Sequence, residues 1–499
     1  MGTQPSEKTN YVKRKELVAL CVAAFGQNMI YTVMSSYVSD FFINVLQVPL
    51  LFILFLMLAA RIWDAINDPI MGSIVDANET KLGKMKPYVI FTALPIAILT
   101  FFLFFDPGFG KVETMIYSAF VYVFWGMVYT VSDVPFWSLP NVMTPDADER
   151  AKVISLARVF NGIGCAIPIL LFTVLGFVLP KISDKTGVDL DKQKYMILTI
   201  VSAGIGTILL ANSFFHVKER VVLPRKKGSS GVLKRIVKCK PLMLVIIMGI
   251  LSSGRYMTQT AAIHVARYAF YIGPDLTTVE NATAAIQSSI TIVNLILVAC
   301  AALGMFAAMT VIPFLYKKYN YRQIVLFCCI LGAAASGVIT ALGAVSIYCN
   351  VGWVFYLCIP LFVIQSLPLG ALNTTSYAMI GDCLDYMEWK TGYRDNALGS
   401  ACQSFVNKLG AALATAFIIL TYMAVSLDPA DIYSSGAVVA ATDLSNIQRF
   451  AVFGLVSIIP GVSLILCAIP VAFYDITGEK KELIIKELAD KRREKGLDL

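Results

Sequence analysis

Two aspartates four residues apart lie inside an apolar stretch that is long enough to cross a lipid bilayer. Asp64 and Asp68 share one helix face with Arg61, because 3.6 residues complete each turn. A charged side chain at membrane depth costs at least about 2.5–3.5 kcal/mol, and it is tolerated where it faces a water-filled cavity, binds an ion or carries protons. The pair therefore predicts a helix that handles a cation.

A second polar face lies on the fourth apolar stretch. Thr130, Asp133 and Trp137 are spaced three and four residues apart, which places them on the same side of a helix. Pro135 lies among them and lacks a backbone N–H, so it can release the carbonyl of Val131 from the helical hydrogen-bond ladder. The fourth stretch thus offers a carboxylate, a hydroxyl, a free carbonyl and an indole.

Oxygen atoms are the ligands that a hard cation such as Na⁺ prefers over sulfur or imidazole. Asp64, Asp68 and Asp133 are predicted to surround one ion, and Asn67 and Thr130 would add neutral oxygens. The carboxylates alone do not decide between Na⁺, Li⁺ and H⁺, since a carboxylate can bind each of them. The coupling ion is the only small inorganic group that the sequence calls for, and no other cofactor is expected.

Basic side chains in the apolar stretches leave an alternative open. Arg61, Arg158 and Lys408 equal the three acids in number, so one alternative is that the acids serve only as their ion-pair partners. A carrier can use both arrangements in alternation. Arg255 lies at mid-depth in the seventh stretch, where its charge either attracts an anionic group of a substrate or pairs with an acid or water.

The composition predicts an all-α polytopic membrane protein. Of 499 residues, 57% are hydrophobic and 15% are charged, whereas soluble domains carry roughly 25% charged residues. Twelve apolar runs of about 20 residues recur along the chain, each long enough to span the hydrocarbon core. They are expected at 17–43, 50–75, 88–106, 113–136, 152–180, 195–216, 241–272, 287–316, 324–348, 351–379, 397–426 and 447–474.

Lysine and arginine residues are distributed unevenly between the two sides of these runs. The segments on the N-terminal side hold 30 of the 41, the opposite loops hold five, and six lie in or at the edges of helices. This bias predicts cytoplasmic termini in a bacterial inner membrane. The net charge of +8 is then a consequence of topology and does not indicate nucleic-acid binding.

The chain divides at its most polar interior segment. We expect an N-terminal six-helix bundle at 1–216, a flexible cytoplasmic linker at 217–240, a C-terminal six-helix bundle at 241–474 and a cytoplasmic tail helix at 475–499. Both halves carry an acidic helix exit followed by a short loop that ends in arginine. Paired six-helix units are a known architecture of secondary carriers, which bind substrate near the membrane midplane.

Four motifs together resemble the glycoside–pentoside–hexuronide:cation symporters of the major facilitator superfamily. They are RIWDAINDPIMG at 61–72, TVSDVPFWSL at 130–139, EWKTGYR at 388–394 and QSFVNKLG at 403–410. The resemblance covers nearly the whole chain and implies a twelve-helix fold that works by alternating access. It also implies a functional monomer that couples sugar uptake to a cation.

The resemblance assigns roles to matching positions. It implies cation ligands on the second and fourth helices, and these are Asp64, Asn67, Asp68, Thr130 and Asp133. It implies substrate contacts in both halves, at Asn28, Asp133, Trp137, Arg158, Gln403 and Ser404, and it places Lys408 near the cation site from the opposite half. Lys408 and Arg255 complete the predicted substrate-binding residues, and Arg255 is a candidate because of its depth and charge. Asn28 stands where melibiose permease has an acidic residue that contacts sugar, so this position departs from the galactoside pattern.

Two other functions remain as alternatives. The first is a cation-coupled carrier of another amphiphilic or anionic cargo, such as a lysophospholipid. The second is a transport-inactive sensor, which loss of the helix-two acids or a fused signalling domain would favour, and neither feature occurs in the sequence. The chain has no phosphate-binding loop, nucleophile elbow or metalloenzyme spacing, so an enzyme is not expected.

Overall fold

The protein is described by a computed structural model. It describes residues 11–78, 80, 82–144, 147–220, 239–279, 281–316, 318–349, 351–391, 396–428 and 441–494. Within these ranges every regular element is helical, and twelve helices or helix pairs are long and apolar enough to cross a membrane. The chain divides into two compact units, Met1–Lys227 and Gly228–Leu499.

The N-terminal unit contains six membrane-spanning segments. The first continues as a short π-helix at Phe41–Val45, and the fifth consists of two helices in succession. The elements are α1 (Arg14–Asp40), α2 (Leu50–Ala77), α3 (Lys86–Leu103), α4 (Lys111–Met143), α5 (Ala147–Gly164), α6 (Ala166–Ile182) and α7 (Gly187–His216). Both α2 and α4 run without interruption through the prolines near their polar residues.

Close packing of α1 against α7 fixes how α1 is rotated. Gly26 and Gly206 face each other, and a β-carbon on Gly26 would lie 2.6 Å from the carbonyl oxygen of Gly206. Only glycine permits this approach of two backbones. The side chains that follow Gly26 are thereby directed toward particular neighbours in the unit.

The segment that follows α7 forms hydrogen bonds with the start of α3 and with α1. The Glu219 carboxylate accepts hydrogen bonds from the backbone N–H groups of Lys84, Met85 and Lys86, at 2.7–3.0 Å. These groups include donors that the start of α3 leaves without helical partners. Arg220 forms a two-point ion pair with Glu16 of α1, at 2.6 and 2.8 Å. The hydrogen bond to Glu16 raises the pKa of the Arg220 guanidinium.

The C-terminal unit also has six membrane-spanning segments, three of them interrupted. Its elements are α8 (Lys240–Leu251), a 3₁₀ segment (Ser252–Tyr256), α9 (Met257–Thr260), α10 (Ala262–Tyr268), α11 (Ala282–Leu315), α12 (Tyr321–Tyr348), α13 (Val354–Gln365), α14 (Leu367–Thr391), α15 (Asn396–Ala424), a 3₁₀ turn (Ala441–Asp443), α16 (Asn446–Gly454), α17 (Ile458–Ala472) and α18 (Glu479–Glu494).

Buried polar side chains satisfy backbone groups at these interruptions. Ser463 of α17 accepts a hydrogen bond from the Gly254 N–H at 2.9 Å and donates to the Leu251 carbonyl at 2.6 Å. Gln365, at the end of α13, donates to the Val456 carbonyl at 2.9 Å and to Ser336 at 2.8 Å. Since unpaired backbone groups are costly in a membrane, these contacts allow the helices to break there.

The helix α18 packs against the rest of the C-terminal unit. Ile484 and Leu488 are buried in the apolar core of that unit. Lys481 forms an ion pair with Asp382 of α14 at 2.8 Å, and the indole N–H of Trp389 donates to Glu487 at 2.5 Å. The tail helix therefore belongs to the folded C-terminal unit.

Candidate functional site

The acids of α2 differ in the partners that the structure gives them. The Arg61 guanidinium donates to Asp64 at 3.0 Å, and the two side chains are 12% and 11% exposed. Arg61 also reaches the hydroxyl of Tyr122 on α4, at 3.4 Å. The negative charge of Asp64 is thus balanced within its own helix. This contact agrees with the ion-pair alternative for Asp64.

The second acid of α2 contacts α4. The Thr130 hydroxyl donates to Asp68 at 3.2 Å, and Thr130 is 3% exposed. One turn along α4, Gly126 faces the first acid, because a β-carbon there would lie 3.7 Å from an oxygen of Asp64. The two helices therefore bring a hydroxyl and two carboxylates to one place in the N-terminal unit.

The third acid, Asp133, contacts the first helix. The amide of Gln27 donates to Asp133 at 2.8 Å. The Gln27 side-chain oxygen is buried and receives no hydrogen bond from the described residues. The Asn67 amide nitrogen is also buried, and it finds no acceptor among them. A buried amide oxygen without a donor is a ready ligand for a cation.

An aromatic and basic pair follows on the same face of α4. The Arg158 guanidinium of α5 lies 3.7 Å above the centroid of the Trp137 ring, a cation–π arrangement. Trp137 is half-buried and Arg158 is exposed. An indole ring with guanidinium donors stacked on it offers an apolar surface and hydrogen-bond donors, which suit the apolar face and the hydroxyls of a sugar ring.

The C-terminal unit holds a buried guanidinium in its first interrupted helix. Arg255 is 4% exposed and lies in the 3₁₀ segment. It donates to the Ser252 hydroxyl at 2.6 Å and to the Tyr256 hydroxyl at 2.8 Å. Tyr256 in turn contacts the side-chain oxygen of Asn407 on α15, at 3.4 Å. The three side chains that these hydrogen bonds connect to Arg255 are all neutral.

Comparison with known proteins identifies the family. The profile of the family described as MFS/sugar transport protein matches residues 20–478. The chain belongs to the glycoside–pentoside–hexuronide:cation symporter family. It is a multi-pass membrane transporter of the major facilitator superfamily and not an enzyme, as the sequence predicts.

Two relatives and one solved structure illustrate the similarity. The chain is 25% identical over 485 residues to the symporter YjmB of Bacillus subtilis (96% of this chain, 95% of that protein). It is 22% identical over 444 residues to a glucuronide carrier protein homolog of Escherichia coli (88% and 87%). The crystal structure of a D-xylose-proton symporter has the same fold, with a TM-score of 0.57 at 14% identity, covering 94% of this chain and 98% of that one.

The predicted site residues of this symporter fall into two groups according to their contacts in the structure. Five predicted positions lie on facing stretches of α2 and α4, and Gln27, which was not among the predicted ligands, joins them through Asp133. Asn28 instead donates to the backbone carbonyl of Asn161 on α5 at 2.6 Å, so its amide serves helix packing. Its role toward substrate stays a prediction.

The predicted residues of α15 are only partly described. Lys408 is half-buried and follows Asn407, whose side chain reaches the Arg255 network through Tyr256. Gln403 and Ser404 lie in α15, but their side chains are outside the described part of the structure. The roles of all three stay predictions.

Proposed function

We propose that the protein is a symporter that couples uptake of a sugar, glycoside or uronide to a cation, Na⁺ or else H⁺ or Li⁺. The observation that carries this proposal is the meeting of Asp64, Asp68 and Thr130 where α2 faces α4. Three acids, including Asp133, occupy a membrane-spanning unit at a cost that ion binding would offset. The cation is bound chiefly by Asp64 and Asp68, with Asn67, Thr130 and Asp133 adding oxygens.

The sugar is held beside the ion by α4 and α5. Trp137 stacks on a face of the ring, while Asp133 and Arg158 form hydrogen bonds with its hydroxyls. Asp133 lies between Thr130 and Trp137 on one face of α4. This position provides a route for coupling, because a cation that neutralises the acids changes the field at the sugar. Coupling is reciprocal: the sugar tightens ion binding as much as the ion tightens sugar binding.

The family supports this cargo and this way of working. Relatives are named as symporters and as a glucuronide carrier protein homolog. The carrier acts as a monomer in the bacterial inner membrane, with both termini in the cytoplasm, and it works by rocking its two six-helix units. The positive charges on the N-terminal side of the chain support this orientation.

Vesicles that contain the purified protein test the proposal directly. A panel of radiolabelled glycosides, pentosides and uronates is offered with and without an inward Na⁺, Li⁺ or H⁺ gradient. We expect at least one sugar to accumulate only when a gradient of one cation is present. Accumulation of every sugar at the same rate without any gradient, or of none with any gradient, would contradict cation-coupled sugar symport.

A further inference from the structure

A groove runs along the outer side of the contact between α1 and α7 in the N-terminal unit. It has a volume of about 580 Å³, and its lining includes Val22 of α1 and Ile208, Ala211, Asn212 and Phe215 of α7. The four residues of α7 follow one another at intervals of three and four, so they lie on one helix face. Ile208 and Phe215 are 72% and 74% exposed. Such apolar side chains at the edge of a membrane-spanning helix face lipid.

Three contacts show that α1 and α7 run antiparallel, and they give the level of each residue along the groove. They join Asp40 to Tyr195, Gly26 to Gly206, and Glu16 to Arg220. Lys15 is seven residues before Val22 on the same face of α1, which is about 10 Å along the helix. By this register Lys15 is level with the chain just after α7, where Lys218 lies. Both lysines therefore lie at the same end of the groove.

Three acids at this end of the unit are engaged by other groups. Glu16 forms the two-point ion pair with a guanidinium, at 2.6 and 2.8 Å. Glu149 accepts hydrogen bonds from a backbone N–H just before α1, at 3.0 Å, and from a threonine hydroxyl at 2.5 Å. Glu219 accepts three backbone N–H groups near the start of α3. Lys15 and Lys218 are exposed, so their ammonium groups present positive charge to the surroundings.

The dimensions of the groove match one leaflet of a bilayer. The lining from Ile208 to Phe215 covers seven residues, about 10 Å of helix, and one leaflet contributes about half of a hydrocarbon core of roughly 30 Å. The membrane-spanning part of α7 ends at Ser213. Lys218, five residues further on, is then at the level of the lipid headgroups. Asn212 is half-buried in the lining, and its amide N–H can donate to an ester carbonyl of a lipid.

We propose that this groove is a binding site for an anionic phospholipid. One acyl chain lies along Val22, Ile208 and Phe215, and the phosphate lies beside Lys15 and Lys218. Either a zwitterionic or an anionic lipid can fill an apolar groove, but the two exposed lysines favour a headgroup with a net negative charge. The site goes beyond the proposed symport function. It lies about 140° around α1 from the face that carries Gln27 and the candidate cation site.

A bound lipid of this kind contacts two helices at once. Its chain and headgroup touch both α1 and the end of α7, and it binds only where the two helices are packed together. A ligand that binds the folded protein and not the unfolded chain stabilises the fold. The anionic lipid should therefore also raise the temperature at which the N-terminal unit unfolds.

Native mass spectrometry of the whole purified protein in detergent tests the site. The affinity of the first bound lipid is measured for phosphatidylglycerol and for phosphatidylcholine with the same acyl chains. We expect phosphatidylglycerol to bind at least about tenfold more tightly, because two basic side chains each contribute about fivefold near a lipid headgroup. The double variant Lys15→Gln, Lys218→Gln should lose about tenfold or more of this affinity and change that of phosphatidylcholine less than about twofold.

Matched variants separate this site from general attraction of lipid to the protein. Lys111→Gln with Lys181→Gln removes two exposed lysines from other helix ends of the same unit and should leave the affinity unchanged. Ala211→Phe fills the groove while keeping both lysines, and it should weaken phosphatidylglycerol about tenfold. Ala334→Phe adds the same bulk at an exposed position of α12 and should have no effect.

Equal affinity for the two lipids, or unchanged phosphatidylglycerol binding in the double lysine variant, overturns the inference and leaves the symport proposal standing. A loss in the lysine variant without a loss in Ala211→Phe also overturns it, because the headgroup would then bind outside the groove. If Ala211→Phe does not fold, as judged by size-exclusion chromatography, Val22→Phe replaces it, and the lysine variant decides the role of charge in either case.

Discussion

Replacing Asp68 by asparagine removes one negative charge from the candidate cation site and little else. The two side chains have the same shape, and the amide oxygen can still accept the hydrogen bond that Thr130 donates at 3.2 Å. Asp68 is the better choice than Asp64, because Arg61 donates to Asp64 at 3.0 Å and would be left without that partner. Ion affinity should therefore fall without a large loss of folded protein.

The size of the effect follows from the charge removed. A unit charge about 2.5 Å from a monovalent ion contributes roughly 7 kcal/mol of gross attraction at an effective dielectric constant of about 20. Lost hydration of the ion and the carboxylate offsets much of this, and we expect a net loss of about 2–4 kcal/mol. At about 1.4 kcal/mol for each factor of ten, the loss corresponds to about 30- to 700-fold in ion affinity.

The assay measures the cation concentration that gives half-maximal stimulation of sugar uptake into vesicles. Asp106→Asn is a matched control, because Asp106 lies outside the membrane-spanning segments of the same unit and pairs with Lys192 at 2.9 Å. The control should keep the wild-type ion dependence. A folded Asp68→Asn protein with the same half-maximal concentration as the wild type would refute the assignment of Asp68 as a cation ligand.

Three further predictions concern the sugar, the fold and the membrane potential. Trp137→Ala should raise the half-saturating sugar concentration about 3- to 30-fold, and Trp137→Phe less, because the ring is a stacking surface and a platform for Arg158; equal values in counterflow assays would contradict this. Glu219→Gln should destabilise the protein by about 1–2 kcal/mol in detergent unfolding experiments, because its charge serves three backbone N–H groups; an unchanged unfolding midpoint would show that the contact contributes nothing. Uptake of an acidic sugar with one monovalent cation moves no net charge, so it should be insensitive to a membrane potential set by K⁺ and valinomycin. Uptake of a neutral sugar moves one net charge, which is worth about 2.3 kcal/mol per 100 mV. The reverse dependence on potential would exclude one-to-one coupling.

The membrane-spanning segments could be predicted from sequence because each is a long apolar run. The predicted span at 324–348 corresponds to Tyr321–Tyr348, and the span at 50–75 to Leu50–Ala77. The interruptions of the C-terminal helices were not predicted. They depend on hydrogen bonds from residues far away in sequence, such as Ser463 to the break at Gly254. Hydropathy does not reveal such tertiary partners.

The candidate site could be predicted where its residues share a helix. Spacing within one helix is enough to place Asp64 and Asp68 on one face. It does not decide which of two adjacent residues on α1 contacts the third acid, Asp133. Gln27 and Asn28 point about 100° apart, and the rotation of α1 that selects Gln27 is fixed by packing against α7.

The role of Glu219 was hidden for a different reason. Its immediate neighbours Lys218 and Arg220 are basic, and it lies in the segment 217–240, whose overall polarity is typical of a flexible linker. The structure gives its carboxylate three backbone donors near the start of α3. Backbone N–H groups leave no trace in a sequence, so a residue that binds them can be recognised only once the chain is folded.

The ion and sugar proposals rest on different residues, which makes them separable. Asp68 is proposed to bind the cation, and Trp137 is proposed to stack on the sugar. Because ion and sugar binding are linked, a variant that only weakens the ion should recover wild-type sugar affinity when the cation is raised to saturation. Trp137→Ala should stay weak for the sugar at every cation concentration, since the contact it loses is to the sugar itself. A single titration of sugar affinity against cation concentration therefore distinguishes a lost ion ligand from a lost sugar ligand.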